Sequence, residues 1–474
     1  MKYFKILRII IFTSLLPITF LSCNQDNIEE LENRIAELEA LSEVKDSVLF
    51  GDLVISSQAS MDIMAERGIT NILGMLSIQN CTDLTPLSSL KSVEGLQLEI
   101  PSGLKTLEGL NNLTQLSMLY LYFSSGSNID MSALDGMVSI DNIFLGGELP
   151  NIPWFSSITT LESLHVEAEL TNLTFEGLDN LTSIEYLSLN NWQGTLTVQG
   201  FEKLTSLTDL SLYANNLIVS GFDNVNSVNS LNISGNTLSL SGLNGIRSLE
   251  YLYINGSSLD ISGLNGINSL NYLSLYATTL DITGFGSLES LNGLDIFVEN
   301  SASGLNKLKT VGYLYLGIGS SNNFLTELTT VDNMYVFSYS NFIKSFSDLG
   351  LTSLNSIGGL GLDIQSLESL DGLDLSNSTL SDFSIYNSPN LNNISAMSTY
   401  TGSIYSINIW GTSLASLDGL ENVTSVGYLS INSNSKLEDW CGIKDIFDAI
   451  PSNQRDINNN LSNPSSSADI TGCD

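Results

Sequence analysis

Leu210, Leu231, Leu252, Leu273 and Leu294 stand 21 residues apart, and each opens the same phrase. The stretch Leu207-Thr-Asp-Leu210-Ser-Leu212-Tyr-Ala-Asn215-Asn-Leu217 is answered by Val228-Asn-Ser-Leu231-Asn-Ile233-Ser-Gly-Asn236-Thr-Leu238. A period this short and this regular excludes a conventional globular core. It predicts a stack of equivalent coils, each resting on the next. With 474 residues, the chain is also longer than one compact core normally grows, so it must split into domains or grow by repetition.

Within each phrase the apolar residues alternate with polar or aromatic ones. Leu252 and Ile254 are interleaved with Tyr251, Tyr253 and Asn255, the period of two that marks a strand with one buried face. Asn215 and Asn236 fall where the chain is expected to leave the strand, with the amide turned inward to bond neighbouring coils. Ser257 and Thr278 replace them further on, so that ladder is expected to be partial. Next comes Leu259-Asp-Ile261-Ser-Gly263-Leu264-Asn-Gly266-Ile267-Asn-Ser-Leu270. A 21-residue period has no room for a full helix on this return side, so extended segments and 3₁₀ turns are expected there.

Looser copies extend the pattern outward, with strand-opening residues at Leu53, Met75, Leu96, Leu119, Ile143, Leu164 and Leu187, then Leu314, Met334, Leu360, Phe383, Ile407 and Leu429. About eighteen rungs at ~4.8 Å would make a sheet of roughly 85 Å. Loop insertions or bends are expected near Gly126 and at 340–351. A second variety of repeat carries glycine just before the strand, as in Val311-Gly312-Tyr-Leu314-Tyr-Leu316 and Val426-Gly427-Tyr-Leu429-Ser-Ile431.

The recurring L-x-x-L-x-L-x-x-N-x-L phrase resembles the leucine-rich repeat. The glycine variety is similar to the L-domain of insulin-receptor-like ectodomains and to bacterial surface proteins such as the internalins. The resemblance covers roughly residues 51–440. It implies a β-rich right-handed superhelix with a parallel sheet on its concave face, a 3₁₀ and extended convex face, and a role in binding proteins or glycans. It carries over no catalytic residues.

Because one coil cannot bury enough apolar surface to order itself, the ends of such a stack need caps. Residues 57–67, with Met61, Ile63, Met64 and Ala65, predict an N-terminal capping helix, and Trp440 to Ile450 predict an amphipathic helix stopped by Pro451. Cys441 and Cys473 bracket the tail, 441–474, where a disulfide in an oxidising compartment would pin the cap. Cys81 is left over and reads as a small buried hydrophobe.

Ahead of the repeats, Lys2, Lys5 and Arg8 precede an apolar run from Ile9 to Leu21 that is too short to span a bilayer and ends at Ser22-Cys23. That is the layout of a signal peptide over 1–22. Phe20-Leu21-Ser22-Cys23 resembles a bacterial lipobox, which implies acyl chains on Cys23 and a membrane anchor. The following acidic tether suits outer-membrane sorting and exposure at the cell surface. Ile28, Leu31, Ile35 and Leu38 form a short heptad seam within the stalk, residues 23–50. Such a seam serves either a solitary helix or homo-oligomerisation.

Acids outnumber bases 51 to 16, for a net charge of −35. Repulsion of this size argues against a nucleic-acid partner. His165 is the single histidine, so multi-histidine metal centres are excluded and any Ser-His-Asp or Cys-His machinery would depend on that one residue. No cofactor or metal is expected and no enzyme activity. A hydrolase working through paired carboxylates is the alternative. Asp260 and Asp281, 21 residues apart, read as a candidate calcium pair or as solvated acids, and His165 as a surface residue.

The candidate binding residues are Tyr251, Tyr253, Tyr272, Tyr276, Phe297, Tyr313 and Tyr315, all at outward strand positions among Asn and Asp side chains. Rings interleaved with amides and carboxylates suit sugar stacking or a protein hot spot. The same rings would also satisfy cross-strand packing. The ligand, protein or glycan, is expected on this face.

Overall fold

The structure, a computed structural model, describes residues 47–149, 155–319 and 324–473. The signal segment, Cys23 and most of the heptad stretch lie outside the described residues.

The chain winds as a β-rich leucine-rich-repeat solenoid in which, among the described residues, 24 strands join one sheet, every pairing between them parallel. The alternation read from the repeat sets the faces. In strand Ser248–Gly256, Leu249, Leu252 and Ile254 are buried while Tyr251, Tyr253 and Asn255 face out. Leu210, Leu231, Leu252, Leu273, Leu294, Leu314, Met334 and Leu360 pair one to the next across consecutive strands, a continuous buried column. The expected strand-opening residues hold this register except one. Leu76, not Met75, pairs with Leu96. Both residues of the Met75-Leu76 pair are apolar, and the ladder shifts register between Ile72 and Met75, so the pattern alone placed the opening one residue early.

The corner after the main strand also departs from expectation. Strands Ser206–Val219 and Ser269–Ile282 run straight through it, and in neighbouring coils short strands such as Thr237–Ser239 and Ser258–Asp260 extend a second patch of ladder. Asn215 and Asn236 are therefore exposed rather than turned inward. The backbone groups they were expected to satisfy are already paired in the sheet.

The inward amide appears instead at the C-terminal end. Asn434, fully buried, accepts from the Thr412 N–H at 2.9 Å and from its hydroxyl at 2.6 Å, and donates to the Ile409 carbonyl at 2.9 Å. Asn460 Nδ2 donates to the Ile431 carbonyl at 2.8 Å, and its Oδ1 accepts from Asn434 Nδ2 at 3.0 Å.

The return side is built of extended chain and 3₁₀ turns, as the period required. Turns Ser241–Leu243, Ser262–Leu264 and Thr283–Phe285 deliver Leu243, Leu264 and Phe285 to the core. Coils press together most closely here. A Cβ on Gly263 would lie 1.8 Å from the Leu240 carbonyl oxygen, so only glycine fits. An acidic residue two positions before a turn N–H caps several of these turns. Asp83, Asp130, Asp281 and Asp374 accept from the N–H of Thr85, Ser132, Thr283 and Ser376 at 2.9–3.1 Å.

At the N-terminal end, helix Gln58–Glu66, capped by Ser57, buries Met61 and Met64 and leaves Ile63 exposed. The opposite end is shorter in helix than expected: a 3₁₀ turn, Cys441–Ile443, precedes a single α-turn, Lys444–Phe447. Trp440, Ile443, Phe447 and Ile450 are all buried there. The ladder then continues into one more strand, Arg455–Asn458, paired with Val423–Asn432. Cys441 and Cys473 form the expected disulfide, and Cys81 is a buried free thiol.

Candidate functional site

The three outward positions of each main strand line up as three columns across the sheet. The column preceding the buried leucines reads Tyr251, Tyr272, Gly293, Tyr313; the next reads Tyr253, Ser274, Asp295, Tyr315, Tyr335; the last reads Asn255, Tyr276, Phe297, Gly317, Phe337. Cross-strand neighbours in a parallel ladder lie about 4.8 Å apart, close enough for rings to stack.

The first column is the exposed one. Tyr251 and Tyr272 stack face to face, centroids 4.9 Å apart and planes 8° from parallel, and remain 47% and 40% exposed. Tyr272 lies over Gly293, where a Cβ would come within 2.5 Å of its ring. Tyr313, 49% exposed, stands on the far side of that glycine. The gap is the floor of a groove of about 320 Å³ lined by Tyr251, Tyr253, Tyr272 and Tyr313 together with Asn232, Ser274 and Asp295. Four of the seven expected residues thus surround one cavity.

The remaining three, Tyr276, Phe297 and Tyr315, form a packed band beside it. Tyr276 donates its hydroxyl to Asp295 Oδ2 at 2.6 Å, and Ser274 donates to the same oxygen at 3.2 Å. Burial, reinforced by that carboxylate, pushes the Tyr276 phenol up to about 12. Phe297 and Phe337 stack at 5.8 Å across Gly317, whose missing Cβ makes the room. Tyr315 and Tyr335 stack at 5.4 Å. Burial and the nearby Asp363 charge raise the Tyr335 phenol to about 12. Alternation in the sequence already puts Asp295 and Asp363 on this face among the rings; what it could not show is the bond from Tyr276 to Asp295 across adjacent strands.

Carboxylates on this face differ in how they are satisfied. Asp456 accepts from Asn458 at 2.6 Å on one oxygen and from Asn432 at 2.9 Å on the other. Asp382 likewise receives Ser384 at 2.6 Å and Asn408 at 3.4 Å. Asp295 and Asp363 each keep a buried Oδ1 without a partner. Their other oxygens are engaged, that of Asp363 by Asn387 at 3.3 Å. An unpaired buried acceptor is costly and is normally matched by a donor.

His165 stacks on Phe144 at 5.1 Å, with Nε2 3.0 Å from Glu167. Asp260 and Asp281 cap the turns that follow them rather than converging on a shared point. Among the described residues no cluster of three or more His, Cys, Asp or Glu could hold a metal ion, and no helix is long and apolar enough to cross a membrane.

No protein-family model and no curated protein matches the chain. Among solved structures it is similar to the functional domain of InlJ from Listeria monocytogenes, described as including a cysteine ladder. The identity is 16%, with 73% of this chain and 75% of that one covered and a TM-score of 0.36. It is similar also to TLR13 in a complex with ssRNA13, at 13% identity, with 90% and 86% covered and a TM-score of 0.30. Likenesses this distant carry no functional argument, and the fold rests on the strand register itself.

Proposed function

We propose that this chain is a cell-surface binding module that holds a protein or glycan ligand against the groove between Tyr251 and Tyr313. The observation that carries the reading is the exposed tyrosine column over a cavity of about 320 Å³. Tyrosines left this open do little for folding, whereas rings desolvated by a partner contribute roughly 1–2 kcal/mol or more each. The paired-carboxylate hydrolase is the weaker reading. Its two acids must stand about 5–9.5 Å apart, whereas Asp295 and Asp363, three rungs and two residues removed from one another, are separated by about 16 Å.

Purified protein is screened on arrays of immobilised glycans and of peptides, alongside the variant Tyr251→Ala/Tyr272→Ala/Tyr313→Ala. The variant is expected to lose at least about tenfold in affinity for whatever the wild type retains, with an unchanged melting temperature. Wild-type binding by the variant sinks the proposal.

Anchoring belongs to the same proposal. Cys23, at the end of the signal segment, carries lipid and fixes the module to the outer membrane. Labelled fatty acid is expected in the wild type and absent from Cys23→Ala, which is released from membranes. A wild type that takes up no label overturns the anchor.

A further inference from the structure

Resting on that reading, we infer that the ligand is a partner protein presenting a basic segment, with guanidinium or ammonium groups seated over the tyrosines and against Asp295 and Asp363.

Three observations converge. From strand Ile69–Ile78 to strand Val423–Asn432, the three outward columns hold no lysine or arginine. Yet they carry the carboxylates Glu99, Glu167, Asp209, Asp295, Asp363 and Asp382. The face therefore has no permanent counter-charge; its one histidine, His165, sits against Glu167, several rungs from Asp295 and Asp363, and the whole chain at −35 repels an acidic partner.

Second, the two acids flanking the ring band each keep a buried oxygen unpaired, although Asp382 and Asp456 on the same sheet have both oxygens bonded by Ser or Asn side chains. A carboxylate can only accept, so whatever completes these two must donate. Third, the surface between and beside them is aromatic. Tyr315 and Tyr335 lie stacked between the acids, and the Tyr251–Tyr272 pair borders the cavity that Asp295 lines. An electron-rich ring face next to a carboxylate is the environment in which a cation gains both cation–π attraction and a charge-assisted hydrogen bond. A sugar would use the rings as well, but nothing in sugar recognition calls for a face stripped of positive charge.

The spacing is specific. Three rungs and two residues place the acids about 16 Å apart, and an extended peptide advances roughly 3.3 Å per residue with alternate side chains on opposite faces, so two basic residues four positions apart, about 13 Å, share one face and reach both acids with their long side chains.

The test uses two capped nonapeptides of Gly and Ser, one with arginines four positions apart and one with adjacent arginines, titrated onto the full chain at about 0.15 M salt. The spaced peptide is expected to bind about tenfold or more tighter, and Asp295→Asn and Asp363→Asn each to lose about tenfold of that affinity. Asp179→Asn/Glu202→Gln, which removes two exposed acids from the return side, is expected to bind as the wild type. Equal binding of the two peptides, or an equal loss in the return-side variant, reduces the effect to overall charge and overturns the inference. If neither peptide binds while a glycan is captured and then lost in the tyrosine variant, the face is right and its basic partner is wrong.

Discussion

Replacing Asn434 with leucine tests a place where the repeat's asparagine turns inward. The buried amide supplies the acceptor for the Thr412 N–H and a donor for the Ile409 carbonyl, both at 2.9 Å. Leucine fills similar space but leaves these two backbone groups orphaned, at about 1–3 kcal/mol each, for a total of roughly 2–6 kcal/mol. Asn236→Leu removes the same residue type from the equivalent motif position, where it is exposed, and should cost no more than about 0.5 kcal/mol. In a stack whose coils interact only with their neighbours, the damage concentrates locally. Hydrogen exchange followed by mass spectrometry across Gly402–Trp410 and Val423–Asn432 therefore reads it better than a global melt. Protection in these strands should fall sharply in Asn434→Leu and stay unchanged in Asn236→Leu. Equal behaviour of the two variants would refute the claim that burial, and not the motif, makes this asparagine structural.

Three further outcomes are expected. Leu273→Ala, at a fully packed position in the central buried column, should destabilise by about 2–5 kcal/mol through the cavity it leaves, measured by denaturant unfolding. Replacing both Cys441 and Cys473, which close a separation of 32 residues, should remove about 3–4 kcal/mol from the C-terminal turns and speed proteolysis of the tail; identical cleavage rates would count against the staple. The Asp448 and Asp469 carboxyls are held below their ordinary value, chiefly by hydrogen bonds from the hydroxyls of Ser467 and Ser465 respectively. A depressed folded-state pKa stabilises above the unfolded value near ~4 and is lost as pH falls through the folded one. The melting-temperature gap between wild type and Asp448→Asn/Asp469→Asn should therefore be constant at neutral pH and close under acid; a gap that widens below pH ~4 contradicts it.

The period and the inward leucines were legible because they obey one rule at every rung. Failures occurred where that rule gives no answer. Met75 and Leu76 are both apolar, so alternation could not choose between them. Asn215 matches the motif in letters, but Ser206–Val219 stays extended past the corner and leaves the amide nothing to bond. The strand Arg455–Asn458 carries a single apolar residue, Ile457, too little periodicity to detect. At the candidate site, alternation identified the seven rings from Tyr251 to Tyr315 as outward yet could not separate the open column from the packed band. That difference comes from Gly293 and Gly317, which let neighbouring rings lie flat, and from the Tyr276–Asp295 bond across strands. Sequence spacing says nothing of either.

The two ends of the stack are not equivalent, and this gives the protein a mechanical direction. The last turns are held by the disulfide, the buried Asn434–Asn460 pair and the packed Trp440. The first rung, Ser47–Phe50 with Leu53–Ile55, is paired on one side only among the described residues and leaves Val48, Phe50 and Val54 exposed. Tension along the chain loads the coils in series, like stitches in a seam. It should unpick them from Ser47 onward, one short and nearly uniform length at a time, while the far end stays knotted.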